Sequence, residues 1–126
     1  MTRFVLDASA VLADVFHEPG ADVVLDALES GAVISAVNAE EVASKLHGGG
    51  WKDEDVALVF EGIEIVPFDA RHALLSGRYR PVTRSLGLGL GDRACLATAT
   101  LRGWPALTAD RAWVNLDVGA EIVCIR

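Results

Sequence analysis

Short apolar runs alternate with amphipathic stretches along this chain. "RFVL" (Arg3–Leu6), "AVIS" (Ala32–Ser35), "IEIVPF" (Ile63–Phe68), "PALT" (Pro105–Thr108) and "EIVCI" (Glu121–Ile125) are mostly continuous in apolar character, as strands covered on both faces should be. Between them, helical spacing marks Ala8–Phe16, Ala21–Glu29, Val37–Leu46, Asp53–Glu61, Ala70–Ser85 and Asp92–Arg102, the fifth disturbed at Pro81. Strands that alternate with helices predict parallel pairing and an α/β fold. The expected form is a three-layer α/β/α sandwich around a short, mainly parallel sheet of about five strands. In such sheets ligands gather beyond the carboxyl ends of the strands, so polar residues just after each apolar run deserve scrutiny.

The 126 residues contain no repeat, low-complexity tract or dividing linker, and are expected to form one domain, 1–126. A hydrophobic content of 52% and a mean hydropathy of +0.34 argue against disorder. No apolar run approaches the roughly 18–20 residues of a membrane span, so no membrane association is expected. Met1–Leu6 carries one arginine and too short an apolar run for a signal peptide. Cys95 and Cys124 have no CxxC spacing. That usage suits reduced thiols in the cytoplasm and leaves a single disulfide open.

The net charge of −7 discourages a nucleic-acid partner, but its distribution is uneven. No acid lies between Ala70 and Gly91, whereas Arg71, His72, Arg78, Arg80 and Arg84 all fall there. Such a stretch can grip phosphates even on an acidic protein. It can equally be a solvated helix face, and the sequence leaves both open.

Four carboxylates stand in unexpected places. Asp7 in "FVLDASAVLADVF" separates two apolar segments, at the end of the first strand. Glu41 in "SAVNAEEVASKLH" shares a helix flank with Asn38 and Lys45, beside the buried stripe Ala39, Val42, Ala43 and Leu46. Asp92 in "GLGLGDRACLATA" shares the inward face of its helix with Cys95, Leu96 and Ala99, while Arg93 points about 100° away. Asp110 in "PALTADRAW" follows the fourth strand. Each has an ordinary explanation: Asp7, Asp92 and Asp110 as helix caps, Glu41 as the partner of Lys45. Together they are predicted at one edge of one sheet, where like charges repel unless a cation joins them. Hard oxygen donors with room for water suit Mg²⁺ or Mn²⁺.

Other motifs carry less. "GLGLGD" lacks the lysine of a phosphate-binding loop and does not follow a strand, so it reads as a flexible lead-in to the Asp92 helix. His17, His47 and His72 have no zinc-site spacing. Trp51 reads as a loop anchor, and Trp104 and Trp113 as covers for the sheet edge.

These motifs, in this order, resemble the PIN-domain ribonucleases, and specifically the VapC-type toxins of toxin–antitoxin pairs. "VLDASAVLA", "SAVNAEEVASKL", "LGLGDRACLATA" and "PALTADRAW" carry the resemblance, which spans essentially the whole chain. Gly89 stands where relatives often have serine. The resemblance implies an acidic metal site of Asp7, Glu41, Asp92 and Asp110, supported by Ser9, Asn38 and Thr108. It implies Mg²⁺- or Mn²⁺-dependent endonucleolytic cleavage of structured RNA, a homodimer, and a cognate antitoxin whose tail covers the acids. Arg71, Arg78, Arg80 and Arg84 would then hold RNA phosphates, with Tyr79 as a stacking surface. Two rivals use the same early aspartate less well. A phosphoaspartyl hydrolase usually has a DxD pattern, and Ser9 takes the second position here; a phospho-receiver lacks its early acid pair and late lysine. A PIN-like module that binds RNA or protein without cutting is the alternative from another class.

Overall fold

A computed structural model describes residues 2–126. Five strands form one sheet: β1 (Val5–Leu6), β2 (Val33–Ser35), β3 (Glu64–Val66), β4 (Ala106–Thr108) and β5 (Ile122–Cys124). Every pairing is parallel and the spatial order is β3-β2-β1-β4-β5. Seven helices are interleaved among the described residues: α1 (Ala8–Val15), α2 (Ala21–Glu29), α3 (Ala36–Gly48), α4 (Asp53–Val59), α5 (Ala70–Arg78), α6 (Arg80–Thr83) and α7 (Leu90–Arg102). The α/β sandwich expected from the apolar pattern is the observed architecture.

Side chains alternate across the sheet with period two, which divides the core. Leu6, Ile34 and Leu107 pack on one face against α1 to α4, with Val11, Val24, Val42 and Leu46. Val5, Val33 and Ala106 pack on the other, with Cys95, Leu96 and Ala99 of α7 and with Tyr79 and Trp113. Burial on both faces explains why the central runs read as continuously apolar.

The element boundaries differ from the sequence expectation where backbone donors run out. The third run pairs only through Glu64–Val66, and Pro67, which has no N–H, follows directly. Ala70–Ser85 breaks at Tyr79 into α5, α6 and a 3₁₀ turn at Arg84–Leu86, because Pro81 cannot continue the hydrogen-bond ladder of α5. Helix α7 begins at Leu90, two residues before Asp92, which places that carboxylate inside the first turn. Among the described residues no helix is long and apolar enough to cross a membrane.

Strand order fixes where a site can form. From β1 the chain steps to one side through β2 and β3, then returns to the other side with β4 and β5. The crevice beyond the carboxyl ends of β1 and β4 is therefore the topological switch point, the usual place for a ligand in an open parallel sheet.

Candidate active site

Asp7 closes β1 at that switch point and is only 4% exposed. The parallel register sets Leu6 beside Leu107, and the Asp7 N–H donates to the Leu107 carbonyl at 2.9 Å. The next residue of β4, Thr108, is thereby brought against the Asp7 side chain. Its hydroxyl donates to Asp7 Oδ2 at 3.0 Å, and the Ser9 hydroxyl donates to the same oxygen at 2.6 Å. Each hydroxyl also accepts a backbone N–H, Ser9 from Ala109 at 2.9 Å and Thr108 from Asp110 at 3.0 Å. With each proton committed to Asp7, the 3.3 Å approach between the two hydroxyls has no donor left. Asp7 occupies the N-cap position of α1 yet makes no capping bond, so capping does not explain it.

Burial dominates its ionisation. Desolvation raises the Asp7 carboxyl to about 6; the bonds from Ser9, Thr108 and the Ala8 backbone pull the other way, and the Asp92 charge adds to the rise. The buried charge is thus held by neutral donors alone.

Asn38 is fully buried on α3 and fastens that helix to α7. Its Nδ2 donates to Glu41 Oε1 and to the Gly91 carbonyl, both at 2.9 Å. Its Oδ1 is buried without a partner among the described residues. Gly91 matters here for space: a Cβ at that position would overlap the Glu41 carboxylate. The lead-in glycines therefore do more than loosen the chain, a role the sequence pattern did not reveal.

Asp92 is half-buried, and its Oδ2 accepts the Gly89 N–H at 3.0 Å, which closes the first turn of α7. Burial raises its carboxyl and so does the Asp110 charge; the Gly89 bond and nearby Arg93 oppose them. Glu41 is raised mainly by desolvation and further by the charges of Asp7 and Asp92, against the Asn38 bond. Cys95 lies beneath these groups: burial pushes its thiol well up, and Asp7, Asp92 and Glu41 push the same way. Asp110 is exposed and caps the 3₁₀ turn Arg111–Trp113 by accepting the Ala112 N–H at 2.9 Å. The ordinary capping explanation thus holds for Asp110, and for Asp92 in part.

The four acids feel one another across one rim, but they form no tight cage. Among the described residues no three His, Cys, Asp or Glu side chains converge closely enough to hold an ion in this conformation. The donor chemistry nevertheless fits a hard divalent cation: every candidate ligand is oxygen, three carboxyls have raised proton affinity, and an orphaned amide oxygen is buried beside Glu41.

The basic stretch divides. Arg71, Arg78, Arg80 and Arg84 are exposed. Tyr79 is not available as a stacking surface: it is 7% exposed, packed in the core, and its hydroxyl donates to the Val118 carbonyl at 2.6 Å and contacts Thr100 Oγ1 at 2.7 Å. Helix packing placed inward the aromatic that the surrounding charges suggested was outward.

The structure is thus a parallel five-stranded α/β sandwich with a buried aspartate at its switch point. The PIN domain family model matches residues 4–119, and the chain belongs to that family. Among solved structures, one chain of VapBC2 from Rickettsia felis, bound to a DNA fragment from the promoter, is similar with a TM-score of 0.74 and 17% identity over 98% of each chain. A chain of a toxin–antitoxin complex from Klebsiella pneumoniae gives 0.73 and 20% over 98% of each, and one of DNA-bound VapBC from Salmonella typhimurium gives 0.72 and 20% over 100% of each. A comparison with curated proteins finds no match.

Proposed function

We propose that this protein is an endoribonuclease toxin of the VapC type, which hydrolyses RNA phosphodiester bonds with Mg²⁺ or Mn²⁺ held by Asp7, Glu41, Asp92 and Asp110. The observation that carries this reading is Asp7: a carboxylate buried at the switch point of the sheet, with only neutral donors and with other carboxylates for neighbours. Such a charge is costly unless a cation balances it. PIN membership and the shared fold with chains of VapBC complexes support the same reading.

A divalent ion bound there supplies a water of lowered pKa and charge relief on the phosphate oxygens. The side chains of this protein do the rest. Ser9 and Thr108 fix Asp7 Oδ2 and favour its ionised form. Asn38 aims Glu41 toward the first turn of α7, and the Gly89 N–H fixes Asp92. Asp110, exposed at the surface with Oδ1 accepting the Ala112 N–H, would complete the donor set or orient water through its other oxygen. Arg71, Arg78, Arg80 and Arg84 are candidates to hold the RNA backbone, in place of the stacking role expected of Tyr79.

The partners follow from the same reading. Chains of similar fold have been solved in toxin–antitoxin complexes, and a cognate antitoxin here would silence the site by inserting a cation such as an arginine among the acids. A homodimer in the cytoplasm, where its RNA substrate lies, completes the proposal.

A second reading, a PIN-like module that binds without cutting, draws on the absence of a closed ligand cage among the described residues. Incubating total RNA with the protein and Mg²⁺ or Mn²⁺, beside Asp7→Ala, separates the two. Discrete products from the wild type alone support the nuclease. RNA left intact by both, with binding retained, supports the module.

A further inference from the structure

Beside the acidic rim the surface turns positive. Arg80 of α6, Arg84 of the 3₁₀ turn and Arg93 of α7 line a cavity of about 440 Å³, whose remaining wall is the segment 87–90; no acidic residue lines it. Neither Arg80 nor Arg84 forms an ion pair among the described residues, whose basic side chains in salt bridges are His47, His72, Arg102 and Arg126. Arg93 is partly buried: its Nη1 donates to the Leu88 carbonyl at 3.0 Å, while its Nε is buried without a partner. Three arginines line one concavity with no acidic residue in its wall, although the Arg93 charge also acts on Asp92. Their mutual repulsion is relieved by an anion, and their planar forks suit phosphate oxygens.

The cavity is also adjacent to the catalytic candidates. Gly89 and Leu90 line it, and the Gly89 N–H is the group that holds the Asp92 carboxylate. The Gly89 backbone thus belongs both to the cavity wall and to the hold on Asp92. A rim of carboxylates repels an RNA backbone, so a strand placed there needs a cationic hold close by.

We infer that Arg80, Arg84 and Arg93 form a phosphate subsite that grips a non-scissile backbone phosphate of RNA and presents the neighbouring phosphodiester to the carboxylate rim. The second half of this inference rests on the nuclease reading; the grip itself does not. It gives Arg93, which helical spacing had placed merely away from Asp92, a binding role. It also separates Arg80 and Arg84 from Arg71 and Arg78, which do not line the cavity.

The test measures binding of a fluorescent single-stranded RNA oligonucleotide by anisotropy across a range of potassium chloride, in an Asp7→Asn background that removes cleavage. Arg80→Ala/Arg84→Ala should raise Kd tenfold or more and flatten the slope of log K against log salt by about 0.7, the value for one lost phosphate contact. Arg93→Lys, which keeps the charge and loses the fork, should raise Kd a few-fold. Lys52→Ala/Arg102→Ala removes equal charge elsewhere and should leave both quantities unchanged. An unaltered Kd and slope in the Arg80/Arg84 variant overturn the subsite, as does an equal loss in the control. Inorganic phosphate that binds wild type but not Arg80→Ala/Arg84→Ala, with RNA affinity unaffected, assigns the cavity to a free anion and overturns the RNA assignment. A wild type that binds RNA through these arginines yet never cuts it sinks the nuclease reading and leaves the grip standing.

Discussion

Thr108 Oγ1 donates to Asp7 Oδ2 over 3.0 Å, across 101 positions of sequence. The same oxygen accepts the Asp110 N–H, so one hydroxyl links two of the four acids through a single atom. Replacing it with the isosteric Thr108→Val removes one donor from Asp7 and strands the Asp110 N–H. The expected cost is about 1–3 kcal/mol in stability, measured by urea unfolding. Cleavage should fall at least tenfold. Its acid limb should also move to higher pH, because Asp7 has lost a bond that favours ionisation; a merely structural loss would lower the profile without moving it.

Asp7 also gives the metal-free protein a characteristic pH dependence. Its carboxyl rises from 3.8 to about 6 on folding, so between those values the folded state binds more protons than the unfolded one. Stability should therefore fall as pH rises from about 4 to about 6, by at most about 3 kcal/mol from this group. Glu41 and Asp92, also raised, act in the same direction. With EDTA present, Asp7→Asn should be more stable than wild type at pH 7 and comparable to it near pH 4, by thermal melting. Added Mn²⁺ should raise the melting temperature of wild type and leave Asp7→Asn unchanged.

Gly91 separates folding from function. In Gly91→Ala the new methyl displaces the Glu41 carboxylate, the mobile end of a flexible side chain, while alanine favours the helix. Stability should stay within about 1 kcal/mol of wild type. Mn²⁺ affinity by calorimetry should fall several-fold, and so should RNA cleavage.

Tyr79→Phe checks the reassignment of that ring. Loss of the bonds to Val118 and Thr100 should cost about 1–2 kcal/mol on denaturation. RNA affinity at fixed salt should not change. A large drop in affinity without a drop in stability would restore the stacking role.

The sequence made the architecture legible because its strongest signal was local. Apolar runs such as "AVIS" and "PALT" are buried on both faces, and that burial leaves a mark at each position. It made Asp7 conspicuous for the same reason, since a carboxylate flanked by Leu6 and Ala8 has no easy route to water. What lay hidden depended on partners far along the chain. Gly91 read as part of a flexible lead-in, yet the Glu41 carboxylate packs against it; Arg93 read only as turned away from Asp92, yet it lines one cavity with Arg80 and Arg84. Tyr79 misled because charged neighbours on both sides said nothing about which way a bent helix would turn its ring.

The hydroxyl bridge from β4 to β1 has a consequence for synthesis. A chain emerging from the ribosome releases Asp7 before the strand carrying Thr108 and the turn carrying Asp110. Until β4 docks beside β1, the first acid has no companions from that side and α7 has no completed sheet to pack on. On the nuclease proposal, the site would therefore stay incomplete until β4 has been made and has docked beside β1.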